Sequence, residues 1–408
     1  MATPTESVTT RSRMKNTNLQ SAKAAKFDEY YTQWADIERE MNAYLEYDPD
    51  IFRGKVVLLP CDDPEWSNFA KFFALHFMDY GLKKLISTSL APDSNPAGKY
   101  YVPTLFEMAD PRFDETKTRV NGKRFVLEPH DFNNDGVVNI DDLQWEYLED
   151  DGDFRSAEVT ALRDEADIVI TNPPFSMFRE FVAWLVAGDK KFSVIGNSNA
   201  TTYVEIFPLI KENCLWKGAT ANGTDMVFGV PKGSPVKEAD RAKAERLGYP
   251  GTEEYDFTRL GNACWFTNID HGRRHEPLQL MTMADNIRFS KHKDVRGQDY
   301  QRYYNFPEAI EVGHVDAIPS DYDGPMGVPI TFLDKYNPHQ FEIIAHGDDM
   351  GAMREIGVET LGADFVKTYK DQGGTGTNSP GHRRLGLTHP HYYTAYKRII
   401  IRRKDSGS

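Results

Sequence analysis

The chain has 408 residues, 40% of them hydrophobic and 12% aromatic, enough to build one large domain or two ordinary ones around a real core. A formal net charge of −14 excludes a protein that coats nucleic acid indiscriminately, and the lack of any run of about 18 apolar residues excludes a transmembrane helix. Three scattered cysteines, Cys61, Cys214 and Cys264, form no CxxC pair, so neither a disulfide framework nor a zinc site is expected, and a cytoplasmic setting fits.

Residues 1–20, MATPTESVTTRSRMKNTNLQ, read as a disordered tail because they lack the apolar centre of a signal peptide. Their Ser, Thr and Arg content suits a transit peptide, but Glu6 and the missing apolar face weigh against one. FDEYYTQWADIEREMNAYL predicts a short loop leading into an amphipathic helix. GKVVLLPC is a continuous apolar run of the kind that fills a central strand. After it, SNFAKFFALHFMDYG sets Phe69, Phe72, Phe73, Leu75 and Phe77 at helical spacing and stops at Gly81. LKKLISTSL, WEYLE, ADIVIT and KKFSVIGNSN supply a second to a fifth strand. Helices fit between them at SAEVTALRDEA, capped by Ser156, and at SMFREFVAWLVAG, where Phe178, Phe181, Val182 and Leu185 share a face. This alternation, from about residue 27 to 215, predicts a parallel sheet covered on both faces.

Farther on the pattern changes. TDMVFGVP and NACWFTNI look like antiparallel strands joined by a charged, peripheral link, and DQGGTGTNSPG reads as a flexible loop or linker. The stretch HGRRHEPLQLMTMADNIRFSKHKDVRGQDYQRYY is basic on balance and carries tyrosines. From His382 to Lys404 stand Arg383, Arg384, Lys397, Arg398, Arg402, Arg403 and Lys404 with no acid among them. The cationic surface of this acidic protein therefore belongs to its C-terminal part.

The stretch EADIVITNPPFSMFREF ends an apolar strand in Asn172, Pro173, Pro174 and Phe175. Ligand sites of open parallel sheets lie beyond the carboxyl ends of the strands, where this turn falls. Two prolines supply no ladder donors and fix their own φ, so the backbone after Asn172 is stiff and its carbonyls remain acceptors. The Asn172 side-chain oxygen and the Pro173 carbonyl could each accept one N–H of a planar amino group while Phe175 stacks on the attached ring, a grip suited to methyl transfer onto an exocyclic amine. The plainer reading is a strand terminator.

Two other constellations stand out. DFNNDGVVNIDD has calcium-loop spacing: Asp131, Asn133, Asp135, Val137, Asn139 and Asp142 occupy ligand positions and Gly136 the sharp turn, although Asp replaces the usual final Glu. Its alternative is an acidic, Asx-rich surface loop. LPCDD suggests the Pro-Cys nucleophile of cytosine C5 methylation, but Cys61 ends the first strand, and amine methylation needs no covalent intermediate. A small buried thiol is expected there.

Four patterns in order, FDEYYTQ, CDDPEWSNF, DGDFRS and ADIVITNPPFSMFRE, followed by GNACWFTNI, DYDGPMGVPITFLDKYNP and YKRIIIRRK, make the chain resemble the EcoRI family of adenine-specific DNA methyltransferases from about residue 27 to 404. The resemblance implies an α/β, Rossmann-like fold dependent on S-adenosyl-L-methionine (SAM), with a C-terminal target-recognition region. The reaction it implies is methylation of N6 of an adenine flipped out of duplex DNA.

By the same resemblance Asn172, Pro173, Pro174 and Phe175 are catalytic, with Phe175 the platform for the extruded ring. Tyr31 and Thr32 should lie near the amino-acid end of SAM, Asp62 and Asp63 near its charged groups, and Asp153 and Phe154 by its adenine. Arg383, Arg384, Arg402 and Arg403 should face DNA. The family lacks the glycine-rich turn that many such enzymes have after the first strand, and so does this chain; the alternative for Asp62 and Asp63 is a solvated or capping turn. The implied organisation is a tail over 1–20, a SAM-binding catalytic domain over 21–270 and a DNA target-recognition region over 271–408. The partners implied are double-stranded DNA and no membrane, with a cognate restriction endonuclease as a functional rather than physical partner of a bacterial or phage-encoded enzyme. Methylation of a glutamine amide in a protein, or a DNA-binding homologue without activity, are the competing readings.

Overall fold

The computed structural model describes residues 30–94, 108–220, 226–253, 255–375 and 378–404; the expected tail over 1–20 lies outside them. A two-residue strand, β1 (Tyr31–Thr32), precedes the helix Trp34–Tyr47. There follow β2 (Val56–Leu59), β3 (Lys84–Ser89), β4 (Lys123–Leu127), β5 (Gln144–Tyr147), β6 (Ile168–Thr171), β7 (Lys191–Asn197), β8 (Trp216–Lys217), β9 (Met226–Pro231), β10 (Tyr255–Leu260) and β11 (Ala263–Thr267).

The main sheet has the order β5-β4-β3-β2-β6-β7-β11-β8. Its centre, β3-β2-β6-β7, is parallel. β2 is buried along its whole length because both faces are covered. Val56 and Leu58 point into one hydrophobic cluster with Phe181 and Leu185, while Val57 and Leu59 point into the other with Phe69, Phe72 and Phe73. The predicted helices form as Asn68–Leu75, Ala157–Glu165 and Phe178–Ala187, and the Ser156 hydroxyl accepts from Val159 N–H at 3.1 Å. Helix Phe178–Ala187 lies so close to β7 that a Cβ at Gly196 would stand 2.4 Å from the Phe178 ring.

The periphery of the sheet departs from the sequence reading. The WEYLE segment becomes β5, an outer strand antiparallel to β4, itself antiparallel to β3, rather than a member of the parallel run. The two later strands are antiparallel as expected but part company: β11 joins the main sheet beside β7, whereas β9 pairs with β1 and β10 in a separate three-stranded sheet. The charged link between them contains the helix Glu238–Arg246 and β10.

The C-terminal part contains β12 (Arg302–Tyr303), β13 (Phe306–Glu311), β14 (Met326–Pro329), β15 (Phe341–His346), the short pair β16 (Gly386–Leu387) and β17 (Tyr393–Thr394), and β18 (Arg398–Arg403). β12-β13-β14-β18-β15 form one sheet. In β18, Ile399 and Ile401 enter the cluster that also covers the main sheet, and Ile400 faces a smaller one with Tyr303 and Met353. At the junction of the two parts the Phe207 ring meets the His346 ring edge-on at 5.0 Å, and Lys217 pairs with Asp334. Among the described residues no helix is long and apolar enough to cross a membrane.

Candidate active site

The NPPF turn stands at the carboxyl end of β6, next to the end of β2. Asp167, at the other end of β6, accepts from Val56 N–H at 2.8 Å and locks the two strands in register. The Pro174 carbonyl accepts from Met177 N–H at 2.9 Å, turning the chain into the helix Phe178–Ala187. The Asn172 amide nitrogen donates to the Tyr30 carbonyl at 2.6 Å, and its Oδ1 is buried without a hydrogen-bond partner. Such an atom costs about 1–3 kcal/mol unless something arrives to satisfy it. Phe175 stacks on Tyr30, with centroids 5.5 Å apart and planes at 21°, and Phe228 meets both rings edge-on.

β1 crosses this end of the sheet. Tyr31 and Thr32 pair with Gly229 and Phe228 of β9. The Thr32 carbonyl accepts from the Asn68 side chain at 2.8 Å, at the start of the helix Asn68–Leu75. Thr32 is 3% exposed, and its hydroxyl is a second buried polar atom without a partner. Tyr31 meets Tyr255 edge-on at 5.9 Å. One short strand thus brings Tyr30, Thr32, Asn68, Phe228 and Asn172 together.

Asp62 is buried and accepts from the Ser67 and Thr171 hydroxyls, each at 2.6 Å. It ties the end of β2 to the helix cap and to the residue before Asn172, so it acts as a brace under the site. Asp63 accepts from Glu65 N–H at 2.9 Å in the turn that follows. Burial pushes the Asp62 carboxyl from 3.8 up to about 6, although both hydroxyls work the other way. A carboxyl that holds its proton more tightly folded than unfolded lends stability that is complete below its unfolded value and lost as pH rises through its folded value. The window here is about pH 4 to 6, and the loss is at most about 3 kcal/mol. Asp62→Asn should flatten the pH dependence of stability across that window, read by guanidinium unfolding at stepped pH; an unchanged slope would show that Asp62 does not carry it.

The DGDFRS stretch lies beyond the end of β3, where the Asp151 carbonyl accepts from Ala91 N–H at 2.7 Å. Asp153 forms a two-pronged pair with Arg155, at 2.9 and 2.6 Å, and the guanidinium holds its carboxyl below the ordinary value. The Phe154 ring is 4% exposed and packs on Phe181 and Trp184.

Burial, with the Asp62 charge beside it, pushes the Cys61 thiol well above its ordinary value, so no thiolate nucleophile is available there. In the 131–142 loop the acids serve their own backbone. Asp131 accepts from Asp135 and Gly136 N–H, Asn133 from Asp135 N–H, and Asp135 from Val137 N–H; Asn139 accepts from Asp141 N–H, and Asp142 takes the amides of Phe132, Asn133 and Asn139. Among the described residues the His, Cys, Asp and Glu ligand atoms that converge belong to His292, Asp294 and His314 instead. There the two imidazoles lie face to face, 3.6 Å apart and 3° from parallel, so their in-plane lone pairs do not meet at a point. One nitrogen of each ring, Nε2, is held by a carboxylate, His292 by Asp316 at 2.8 Å and His314 by Asp294 at 2.9 Å.

Of the four arginines expected to face DNA, two are engaged within the fold: Arg383 donates to the Val358 carbonyl, and Arg403 to the Ser320 carbonyl. Arg402 is half-exposed and 3.2 Å from Glu342, and Arg384 has no ion-pair partner among the described residues. Tyr30 and Phe228 are site residues that sequence reasoning missed. Tyr30 sits inside the FDEYYTQ segment, but nothing local marks Phe228, which reaches the site through a long-range strand pairing.

The model for the family described as adenine-specific methyltransferase EcoRI matches residues 18–404. The chain is 39% identical over 332 residues to the Type II methyltransferase M.EcoRI of Escherichia coli, covering 81% of this chain and 89% of that one. It is 34% identical over 386 residues to the Type II methyltransferase M.MpnI of Mycoplasma pneumoniae, covering 94% and 98%. No solved structure matches the chain.

Proposed function

The chain belongs to the EcoRI family of adenine-specific methyltransferases and is a DNA methyltransferase, and from that premise we propose that it moves a methyl group from SAM to N6 of an adenine flipped out of duplex DNA. The observation that carries this reading is the buried, unpartnered Oδ1 of Asn172 at the carboxyl end of β6. An exocyclic amino group would satisfy it with one N–H and give its second to the Pro173 carbonyl, since the Pro174 carbonyl is already taken by Met177. Both acceptors draw on the amine hydrogens, so positive charge developing on the nitrogen is stabilised. Phe175 offers the ring platform that an extruded base needs in exchange for the few kcal/mol lost on unstacking.

The residues present also suit the methyl donor. The Thr32 hydroxyl is an orphan awaiting a polar group, Tyr31 and Asp63 lie at the same end of the sheet, and Asp62 and Asp153 brace that end through Ser67, Thr171 and Arg155. SAM, when bound, supplies a methyl carbon that its sulfonium already makes electrophilic. The chain's task is therefore to position the amine rather than to supply a strong base, and the proton leaves the methylated nitrogen to water.

In this reading residues 21–270 carry catalysis and 271–408 read DNA, with Arg384 and Arg402, unlike Arg383 and Arg403, not held by backbone carbonyls among the described residues and left to meet phosphates. A cognate restriction endonuclease would be a functional partner through the shared DNA site. The decisive experiment is sequencing DNA from cells that express the protein by a method that detects N6-methyladenine. The expected result is modified adenine at one short recurring sequence. Unmodified DNA, with labelled methyl groups appearing on protein instead, would overturn the proposal in favour of glutamine methylation.

A further inference from the structure

We propose that Tyr30 is a positioning residue for methyl transfer: its carbonyl selects the orientation of the Asn172 amide, and its ring backs the Phe175 platform. The inference rests on the reading of Asn172 given above and adds to it the device that aims the side chain.

An asparagine amide can face either way, and the choice decides whether the site is offered an acceptor or two donors. Here the partner settles it, because the Tyr30 carbonyl can only accept. With Nδ2 donating to it at 2.6 Å, Oδ1 is turned away from Tyr30 and left open. Flipping the amide would press two acceptors together at that distance and present N–H groups to an amine that itself donates. The Tyr30 carbonyl therefore enforces the productive state before substrate arrives.

The ring does a second job. Tyr30 and Phe175 are stacked with centroids 5.5 Å apart, and a base between them would need about 7 Å for two contacts. Tyr30 therefore covers one face of Phe175 as a support, and the extruded base has the other. Phe228, edge-on to Tyr30 at 5.9 Å and to Phe175 at 6.3 Å, completes the brace.

The carbonyl and the ring are presented by the same segment, which is held by Tyr31↔Gly229, Thr32↔Phe228 and the Asn68 bond to the Thr32 carbonyl. Residue 30 thus ties the seating of β1 to the aim of the Asn172 amide. Removing the ring loosens the segment that presents the carbonyl, so both functions weaken together.

The test is single-turnover methylation of duplex DNA, at saturating DNA and SAM, by wild type, Tyr30→Ala, Tyr30→Leu and Tyr30→Phe, with SAM affinity and thermal midpoint measured beside it. Tyr30→Ala should lose about ten-fold or more in rate while its thermal midpoint stays well above the assay temperature, Tyr30→Leu nearly as much, and Tyr30→Phe should recover most of the loss. A 2-aminopurine at the target position should show weaker stacking in the Ala and Leu variants. Rates within two-fold of wild type in both variants, or losses that track a fallen thermal midpoint, would overturn this inference alone. A wild type that does not methylate DNA would overturn it together with the reading on which it rests.

Discussion

Asn172→Ala is expected to slow methylation of duplex DNA by about 10²- to 10³-fold while leaving the fold intact. The reason lies in what the side chain does before and during the reaction. Before it, the amide spends one hydrogen bond on the Tyr30 carbonyl and keeps Oδ1 buried and unpaired. Losing the bond costs about 1 kcal/mol, and losing the unsatisfied oxygen returns a similar amount. The variant should therefore melt at or near the wild-type temperature, as expected where a structure holds a strained or unsatisfied group for function. In the proposed reaction that oxygen would face the positive charge developing on nitrogen, and alanine offers nothing in its place. Radiolabelled methyl transfer at saturating substrates, with thermal melts in parallel, checks both halves. A rate within three-fold of wild type would remove Asn172 from the mechanism.

The part of this site that could be read from sequence is the part specified locally. The apolar run at Val56–Leu59, the hydroxyl cap at Ser156 and the stiff turn after Thr171 each follow from neighbours in the chain, and each forms where expected. β4 was missed because KRFVL is short and only its last residue, Leu127, is buried, so no alternation announces it. The assembly of the site was out of reach for another reason. The pairing of Tyr31 with Gly229 joins segments nearly two hundred residues apart, and no local pattern encodes which strand the N-terminal segment will meet. Asp62 shows a further limit: an acidic pair after a strand reads as charge waiting for a ligand, yet in the fold Ser67 and Thr171 take up its oxygens.

The same limit governs the basic C-terminal segment, where the second large effect is expected. Arg398 looks in sequence like one more cation available to DNA, but its side chain is 17% exposed and clasps Glu311, itself 11% exposed. The Arg398 Nε lies 2.9 and 3.1 Å from the two carboxylate oxygens, Nη2 donates to the first, and the buried Tyr303 hydroxyl donates to the second. The cluster needs the glycine beside it, since a Cβ at Gly327 would fall 1.8 Å from the Tyr303 oxygen. Tyr303, Glu311, Gly327 and Arg398 thus pin four adjacent strands of the C-terminal sheet at one point. Removing one charge of such a pair strands the other in a poorly solvated place, and Arg398→Met or Glu311→Ala should each cost about 3–5 kcal/mol in urea unfolding. Replacing both, Glu311→Gln with Arg398→Met, should recover much of that loss, because no uncompensated charge remains. If Arg398→Met instead left stability unchanged and only reduced the salt dependence of DNA binding, the residue would belong to the DNA surface and not to the fold. Arg402, four residues along the same strand, is the contrast: half-exposed and paired, among the described residues, with a half-exposed Glu342, it should be nearly neutral for stability.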